Sequence, residues 1–385
     1  MRICLISSSF YPATFYGGPI FATWGLSNRL AEKGIEIYVS STNANGSSRL
    51  KVVANTFLRR KKNLFVKYYY EEIRNIFSFA FLFGIWYDIK KADVVYIQYL
   101  FHYTVFISLL FSFIQAKKII VCPRGSFSSF TLSNRFILLK DLWMRYLIKP
   151  FCNQIIWHAS SYLEKIDICS NFPAANVIII NDGVDFLSFQ KFKNVNKQTL
   201  LKRYTNVDFK DISHIFFSMG RLHSIKCFSV LIEAFSFFVE KDPNAKLLIA
   251  GGDDGEAWRL KQQIIDLNLQ KSVFLIGPVD FDDKNILLNN SDYFALASEF
   301  ESFGIVVAEA LSCGKPIILS NKTSWRDLEK NKCGILVNND RHSFYNGFLA
   351  VINNKYDGDL IKSYVKSNYD WSIIADKFLS KIKNS

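Results

Sequence analysis

No two of the seven cysteines, Cys4, Cys122, Cys152, Cys169, Cys227, Cys313 and Cys333, stand in a CxxC pair. Thiols scattered in this way are read as small core residues of a reducing compartment rather than as disulfides or zinc ligands. The N-terminus, MRICLISSSF, lacks a long apolar run ending at a cleavage site, so no secretory leader is expected. Zinc-finger, RNP-like and helix-turn-helix signatures are missing too, which argues against nucleic acid as the partner of a chain with net charge +13. Charged residues are absent from 94 to 116. A stretch of that length raises a transmembrane helix. It divides naturally, however, into a buried strand over 94–98 and a helix over 101–114 that carries Ser108 and Ser112. A spanning helix would delete two central elements from a regular βαβ series, so none is expected.

What is present suffices for two α/β domains, since half of the 385 residues are hydrophobic. The charge is unevenly spread. Residues 1–180 carry 21 Lys and Arg against 9 Asp and Glu, whereas 181–385 carry 26 against 25. The first half is therefore the part that faces an anionic surface or substrate, with a membrane ranked above nucleic acid. Within it, Arg59 to Lys62, Lys67, Arg74, Lys90 and Lys91 interleave with Phe65, Tyr68 to Tyr70, Ile73, Ile76, Phe77, Phe79 to Phe83, Ile85 and Trp86. A basic, aromatic-rich segment suits interfacial attachment. It equally suits a packed helix with solvated flanking charges, and both stand open. Lys117 and Lys118 join the candidate lipid-facing cations.

The pattern along the chain is strand, loop, helix, repeated. A strand over 2–8 leads through a loop to Gly17-Gly18, which open an apolar helical pattern closed by Gly34. Strands over 35–41, 94–98 and 117–122 follow, the last ending in Pro123-Arg124-Gly125-Ser126 at the sheet edge where α/β ligands bind. His158, in Trp157 to Ser161, is either a site residue or a hydrogen-bonded core histidine. In the second half a strand over 214–219 runs into Gly220-Arg221-Leu222, with Lys226 four residues later. Two cations bracketing such a loop make a diphosphate clamp or a solvated pair. Strands at 246–250 and 273–276 end in Gly251-Gly252 and Gly277-Pro278. The triplets Asp280-Phe-Asp282 and Asp357-Gly-Asp359 are read as helix caps rather than metal ligands.

The densest stretch is 298–319, SEFESFGIVVAEALSCGKPIIL. It predicts an acidic loop, a helix opened at Gly304 and closed at Gly314, and a buried strand. The helix start aims the N–H groups of Phe303, Gly304 and Ile305 at whatever lies above the sheet. Glu301 and Glu309, eight positions apart, can accept from the hydroxyls of a sugar and of a ribose. Taken singly, each can also serve only to complement the helix dipole.

The string E-S-F-G-I-V-V-A-E-A-L-S-C-G-K-P resembles the Glu-x7-Glu segment of the family 4 glycosyltransferases. Gly220-Arg221-Leu222 with Lys226 resembles that family's phosphate-binding pattern. The Pro-Arg-Gly loop resembles a branch that builds bacterial surface polysaccharides. The resemblance covers most of the chain, is strongest over 212–340 and is poor over 42–92. It implies the GT-B fold, an α/β architecture of two Rossmann-like parallel-sheet domains facing across a cleft. Residues 1–186 would take the acceptor side, 187–365 would hold the nucleotide sugar, and 366–385 would return as a helix to the first domain. It further implies a retaining hexosyltransferase that moves a sugar from a nucleotide diphosphate sugar to a hydroxyl of a glycan acceptor carried on a lipid diphosphate. No metal or other cofactor is implied, and the expected place is peripheral at the cytoplasmic face of the membrane. Catalysis would fall to Glu301, Arg221, Lys226 and His102. Donor contacts would come from Gly18, Gly220, Arg221, Lys226, Gly252, Pro278, Glu301, Ser302, Phe303, Gly304, Ile305 and Glu309, and acceptor-side contacts from Gly17, Gln98 and Arg124. The chain departs from the family in three places: Asn181-Asp182-Gly183 stands for Pro-Asn-Gly, Cys227 for the Gly after the phosphate-binding Lys, and Tyr96 and Gln98 where a His is frequent. His102 is the candidate base in its stead. A nucleotide-sugar epimerase of the same fold and a catalytically silent membrane-bound scaffold are the competing classes.

Overall fold

The structure is a computed structural model that describes residues 1–73, 76–128, 131–132 and 136–384, so that Arg74 lies outside it. The chain forms two units, one of Met1–Gly183 with Trp371–Ser385 and the other of Val184–Asp370. The sequence placed the joints at 186/187 and 365/366.

Unit 1 is built on β1 (Arg2–Ile6), β2 (Glu36–Thr42), the short ladder β3 (Ala44–Asn45) and β4 (Ser48–Arg49), β5 (Phe57–Lys61), β6 (Leu64–Tyr69), β7 (Val94–Gln98), β8 (Lys118–Cys122), β9 (Ile155–Ala159) and β10 (Asn176–Ile179). Its main sheet has the order β10-β9-β8-β7-β1-β2-β6-β5. Every pair is parallel except β5 with β6. Strands such as β7 (VVYIQ) are buried along their whole length, which follows from helices covering both faces of a parallel sheet. The uncharged stretch after Asp93 resolves into β7 and a helix over Tyr103–Ile114. Among the described residues no helix is long and apolar enough to cross a membrane. The helix over Trp371–Asn384 completes this unit: Lys33 pairs with Asp376 at 2.7 Å, and Lys118 Nζ donates to the Ile382 carbonyl at 2.5 Å. It packs so closely on the helix Gly18–Glu32 that a Cβ at Gly25 would lie 2.3 Å from the Trp371 ring.

Residues 42–92, which the sequence left open, contribute the short ladder of β3 and β4, the strands β5 and β6 of the main sheet, and a helix over Phe79–Lys90. Arg59, Arg60 and Lys61 lie exposed on β5, the edge strand, where charge discourages pairing with another chain. Several expected lipid-facing groups turn inward instead. Tyr68, Tyr69 and Phe81 are core residues. Lys67 is part-buried against Asp88 at 2.6 Å, and Tyr69 donates to the same carboxylate at 2.6 Å. Lys117 Nζ donates to the Lys90 and Ala92 carbonyls. Burying these groups closes the sheet and ties down its helix, which outweighs leaving them in solvent.

Unit 2 contains β11 (Ile215–Met219), β12 (Lys246–Ala250), β13 (Val273–Gly277), β14 (Tyr293–Leu296), β15 (Ile317–Ser320) and β16 (Gly334–Val337) in the order β13-β12-β11-β14-β15-β16. All pairs are parallel. This is the doubly wound dinucleotide-fold order, in which the chain reverses direction across the sheet between β11 and β14. Ligands bind at such a reversal, outside the carboxyl ends of the two strands. The equivalent reversal in unit 1 lies between β1 and β7. As the sequence predicted, Asp280 and Asp357 cap helices: Asp280 accepts from the Asp283 amide at 2.8 Å, and Asp357 from the amides of Asp359 and Leu360.

Candidate functional site

The reversal in unit 2 brings together the loop after β11 and the loop after β14. Lys226 ends a short turn over Ser224–Lys226, capped by His223, whose Nδ1 accepts from the Ile225 amide at 3.2 Å. The Glu299 amide donates to the Ile225 carbonyl at 2.9 Å and so holds the two loops side by side. Across that join Lys226 Nζ donates to Glu301 Oε1, which also accepts from Ser298 Oγ at 2.8 Å. Both charged side chains are mostly buried. Gly220 is small because Lys226 crosses it: a Cβ there would sit 3.3 Å from Lys226 Cε. Cys227 follows with φ +49°, a left-handed backbone at the position where the family pattern has Gly. The departure in sequence is therefore a strained residue in structure.

Gly304, at φ +80°, opens the helix Ile305–Ser312. The amides of Gly304 and Ile305 have no acceptor among the described residues, and they form the positive end of that helix. The Phe303 side chain enters the core against Trp325 and Tyr369, while its carbonyl accepts from Trp325 Nε1 at 2.6 Å. Its backbone alone is left for a ligand. Ser302 and Ile305 are half-buried beside it. Glu309 lies one turn into the helix, buried, and accepts from Lys284 Nζ at 2.5 Å. Lys284 belongs to the helix Phe281–Asn290, and no motif in the sequence pointed to it.

Arg221 is half exposed and pairs with Asp254 at 2.5 Å. It stands apart from the Lys226–Glu301 pair, on the rim made by Gly251 to Gly255. In that rim the glycine with a steric reason is Gly251 rather than Gly252. A Cβ on Gly251 would lie 1.8 Å from the Gly220 carbonyl oxygen, whereas none on Gly252 would meet an atom within 4 Å. Gly252 thus leaves its backbone open to approach. Pro278 is exposed after Gly277, whose carbonyl accepts from the Gly251 amide at 2.8 Å.

In unit 1 the reversal holds a cavity of about 440 Å³ lined by Ser8, Ser9, Tyr16, Ser47, Glu71 and His102 among others. Gly17, with φ +70°, and Gly18 follow Tyr16 and start the helix Gly18–Glu32. Glu71 and the two serines were not singled out by sequence, since no motif surrounds them. His102 corrects an expectation. Its Nδ1 accepts from the Thr104 amide and lies 2.8 Å from Thr104 Oγ1, which makes it the cap of the helix Tyr103–Ile114. A backbone N–H can only donate, so the neutral ring carries its proton on Nε2. Burial pushes its pKa down to about 4, so at neutral pH the ring is uncharged and weakly basic, with Nδ1 committed to the cap rather than turned to an acceptor as expected of a general base.

Gln98 and Arg124, expected on the acceptor side, are not among the residues that line this cavity. Arg124, at φ +53°, is buried and pairs with Asp182 at 2.5 Å, while its Nε donates to Gln98 Oε1 at 2.9 Å. A guanidinium so enclosed locks the loop after β8 to the segment after β10 and does not line the cavity. His158 proves to be a core histidine: it lies 2.6 Å from the Tyr96 hydroxyl and 2.7 Å from the Ile180 carbonyl, and burial lowers its pKa to about 4.

Comparison with known proteins bears most on unit 2. Residues 206–370 match the family described as glycosyl transferases group 1. An uncharacterised glycosyltransferase of Methanocaldococcus jannaschii is 39% identical over 140 residues, which cover 36% of this chain and 33% of that protein. The UDP-Gal:α-D-GlcNAc-diphosphoundecaprenol α-1,3-galactosyltransferase of Escherichia coli is 34% identical over 185 residues, 46% of each chain. The first three curated relatives are matched over only 33%, 47% and 39% of their lengths. Among solved structures, an Anabaena protein in complex with UDP-glucose superposes with a TM-score of 0.78 over 100% of both chains at 18% identity. A glycosyltransferase involved in lipopolysaccharide biosynthesis gives a TM-score of 0.66 at 14% identity, covering 100% of both chains. The fold is GT-B, with two Rossmann-like parallel-sheet domains.

Proposed function

We propose that the protein is a retaining glycosyltransferase that moves a hexosyl group from a nucleotide diphosphate sugar to an acceptor hydroxyl. The observation that carries this is the Lys226–Glu301 pair beside the open amides of Gly304 and Ile305, all at the chain reversal of unit 2. The family match over 206–370 and the resemblance of the Glu-x7-Glu string support it. In the reaction the bond from the anomeric carbon to the diphosphate oxygen breaks, and one to the acceptor oxygen forms on the same face. Negative charge grows on the leaving diphosphate, and Lys226, Arg221 and the helix start at Gly304 stabilise it. Arg221 exchanges Asp254 for the phosphate, and Lys226 shares itself between Glu301 and the leaving group. Glu301 orients the sugar and steadies its cationic character, while Glu309 takes the ribose hydroxyls in place of Lys284. The acceptor proton passes to the departing phosphate oxygen, which removes the need for a side-chain base. No metal is assigned a step.

The cavity of unit 1 suits the acceptor, with Glu71, Ser8 and Ser9 as hydroxyl partners, His102 as a donor, and Phe15 and Tyr16 as apolar walls. The Escherichia coli relative, by its name, acts on a diphosphoundecaprenol-linked sugar. A lipid-diphosphate-linked glycan in bacterial surface polysaccharide synthesis is accordingly the acceptor class, met by a peripheral enzyme at the cytoplasmic face of the membrane. A thermal-shift screen of nucleotide diphosphate sugars tests the donor half, since a bound donor raises the transition by mass action. The donor that stabilises the protein is then incubated with a lipid-diphosphate sugar. Transfer with retained configuration is expected, and release of nucleotide with no glycosylated product overturns the assignment.

A further inference from the structure

The helix Phe79–Lys90 exposes Phe79, Phe83 and Tyr87, and the helical segment that begins with Ile137–Trp143 exposes Leu138, Leu142 and Tyr146. Each set has the spacing i, i+4, i+8, which lines side chains up along one face of a helix, and exposed Ile137 and Leu139 widen the apolar surface of the second. The first helix commits its opposite face to the core, and the second segment is anchored to the same core at its C-terminal end. Phe81, Ile85 and Ile89 from the first, and Trp143, Met144 and Ile148 from the second, join one cluster against the same face of the unit 1 sheet. The outward stripes are therefore surplus to folding, with Leu138 as much as 80% exposed and Phe83 69%. A chain that needs only to bury its core has no reason to place two such stripes in water.

Charge identifies what covers them. Unit 1 holds 24 Lys and Arg against 11 Asp and Glu, while unit 2 holds 23 of each, so the whole net charge of +13 resides in the unit that carries the stripes. Exposed cations stand at the end of each stripe: Lys90 and Lys91 after Tyr87, and Arg145 and Lys149 on either side of Tyr146. Apolar side chains flanked by basic ones match a surface that is hydrocarbon a few ångströms below a layer of negative charge.

We propose that these two stripes are the surface by which unit 1 docks on anionic lipid, with the apolar side chains entering the headgroup boundary. The proposal rests on the peripheral membrane location above; of the residues the sequence offered it drops Tyr68 and Lys67, which the fold turns inward, keeps Phe79, Phe83, Lys90 and Lys91, and adds Tyr87 and the segment from Ile137 to Lys149. The test is co-sedimentation of the full chain with phosphatidylglycerol and with phosphatidylcholine vesicles, at low and high salt. The variants are Leu138→Glu with Leu142→Glu, Phe83→Glu with Tyr87→Glu, and, as a control, charge reversal of Arg59 to Lys61 on the edge strand. Circular dichroism and thermal melts establish that each is folded, and exposed positions make this the expected result. The wild type is expected to bind the anionic vesicles at least tenfold better than the neutral ones and to lose binding at high salt. Either Glu pair should reduce binding tenfold or more, with the edge-strand control close to wild type. Unchanged binding in both Glu pairs with loss in the control overturns the stripes and leaves the membrane location standing. Absence of wild-type binding overturns both. A wild-type dimer in sedimentation velocity that the Glu pairs convert to monomer, with vesicle binding unaffected, assigns the face to a second copy and overturns the proposal.

Discussion

Lys226→Met separates what the Lys226–Glu301 pair does for the fold from what it does for the reaction. Methionine keeps the stem that lies over Gly220 and removes the charge. Breaking a fully buried ion pair by removing one partner costs about 3–5 kcal/mol. Here the two side chains keep 18% and 13% of their exposure, and Ser298 still donates to Glu301, so a loss of about 2 kcal/mol is expected. The charge that meets the leaving diphosphate is worth more in the transition state, about 2.7–4 kcal/mol, or 100- to 1000-fold in kcat. The double variant Lys226→Met with Glu301→Gln removes the orphaned carboxylate charge. It should regain most of the lost stability while kcat stays low, because nothing replaces the cation at the diphosphate. Urea midpoints give the stability, and initial rates over a range of donor concentrations give kcat and KM. Wild-type kcat in the single variant, or recovery of activity in the double one, would refute the assignment of Lys226 to the leaving group.

Glu309→Ala should weaken binding of the free nucleoside diphosphate by about 1.5–3 kcal/mol, the value of one charged hydrogen-bonding partner, and calorimetric titration that finds equal affinities would remove Glu309 from the site. A chelator should leave the wild-type rate unchanged; full loss restored by Mg²⁺ or Mn²⁺ would defeat metal-free stabilisation of the diphosphate. Cys227→Gly should raise stability by about 1 kcal/mol, because the left-handed backbone at φ +49° costs a residue with a Cβ, and a lower urea midpoint would contradict this. His158, with a folded pKa of about 4 against roughly 6.5 in the unfolded chain, is uncharged in the fold. The unfolded state then binds more protons between those values, so stability present above pH 6.5 should fall as pH drops toward 4. His158→Gln should flatten that part of the stability–pH curve, and an unchanged slope would exclude this histidine as its source.

Local pattern sufficed where neighbours in sequence are neighbours in space. The division of the uncharged stretch into β7 and a helix, the opening of a helix at Gly304 and the capping by Asp280 and Asp357 all follow from spacing within a dozen residues. The hairpin of β5 and β6 was hidden because its signal is conditional. Lys67 turns inward to meet Asp88, 21 residues on, and the basic run before it is the usual guise of an edge strand. Arg124 shows the same limit at the site. A guanidinium beside a Gly at a sheet edge suggests a ligand contact until Asp182, 58 residues away, encloses it. Lys284 and Glu71 carried no motif, and only the fold brings the one to Glu309 and the other to the unit 1 cavity.

The helix Trp371–Asn384 makes the order of synthesis matter. Unit 2 is inserted between β10 and this helix, so all of it leaves the ribosome while unit 1 is still incomplete. Until Trp371 arrives, the notch at Gly25 is unfilled, and Tyr96 and His158 lack the Phe378 ring that packs at 5.1 Å and 5.9 Å from theirs. The unit begun first is thus finished last. A nascent chain paused near residue 370 pairs a finished unit 2 with a unit 1 whose apolar groove stands open, and chaperones and proteases act on surfaces of that kind.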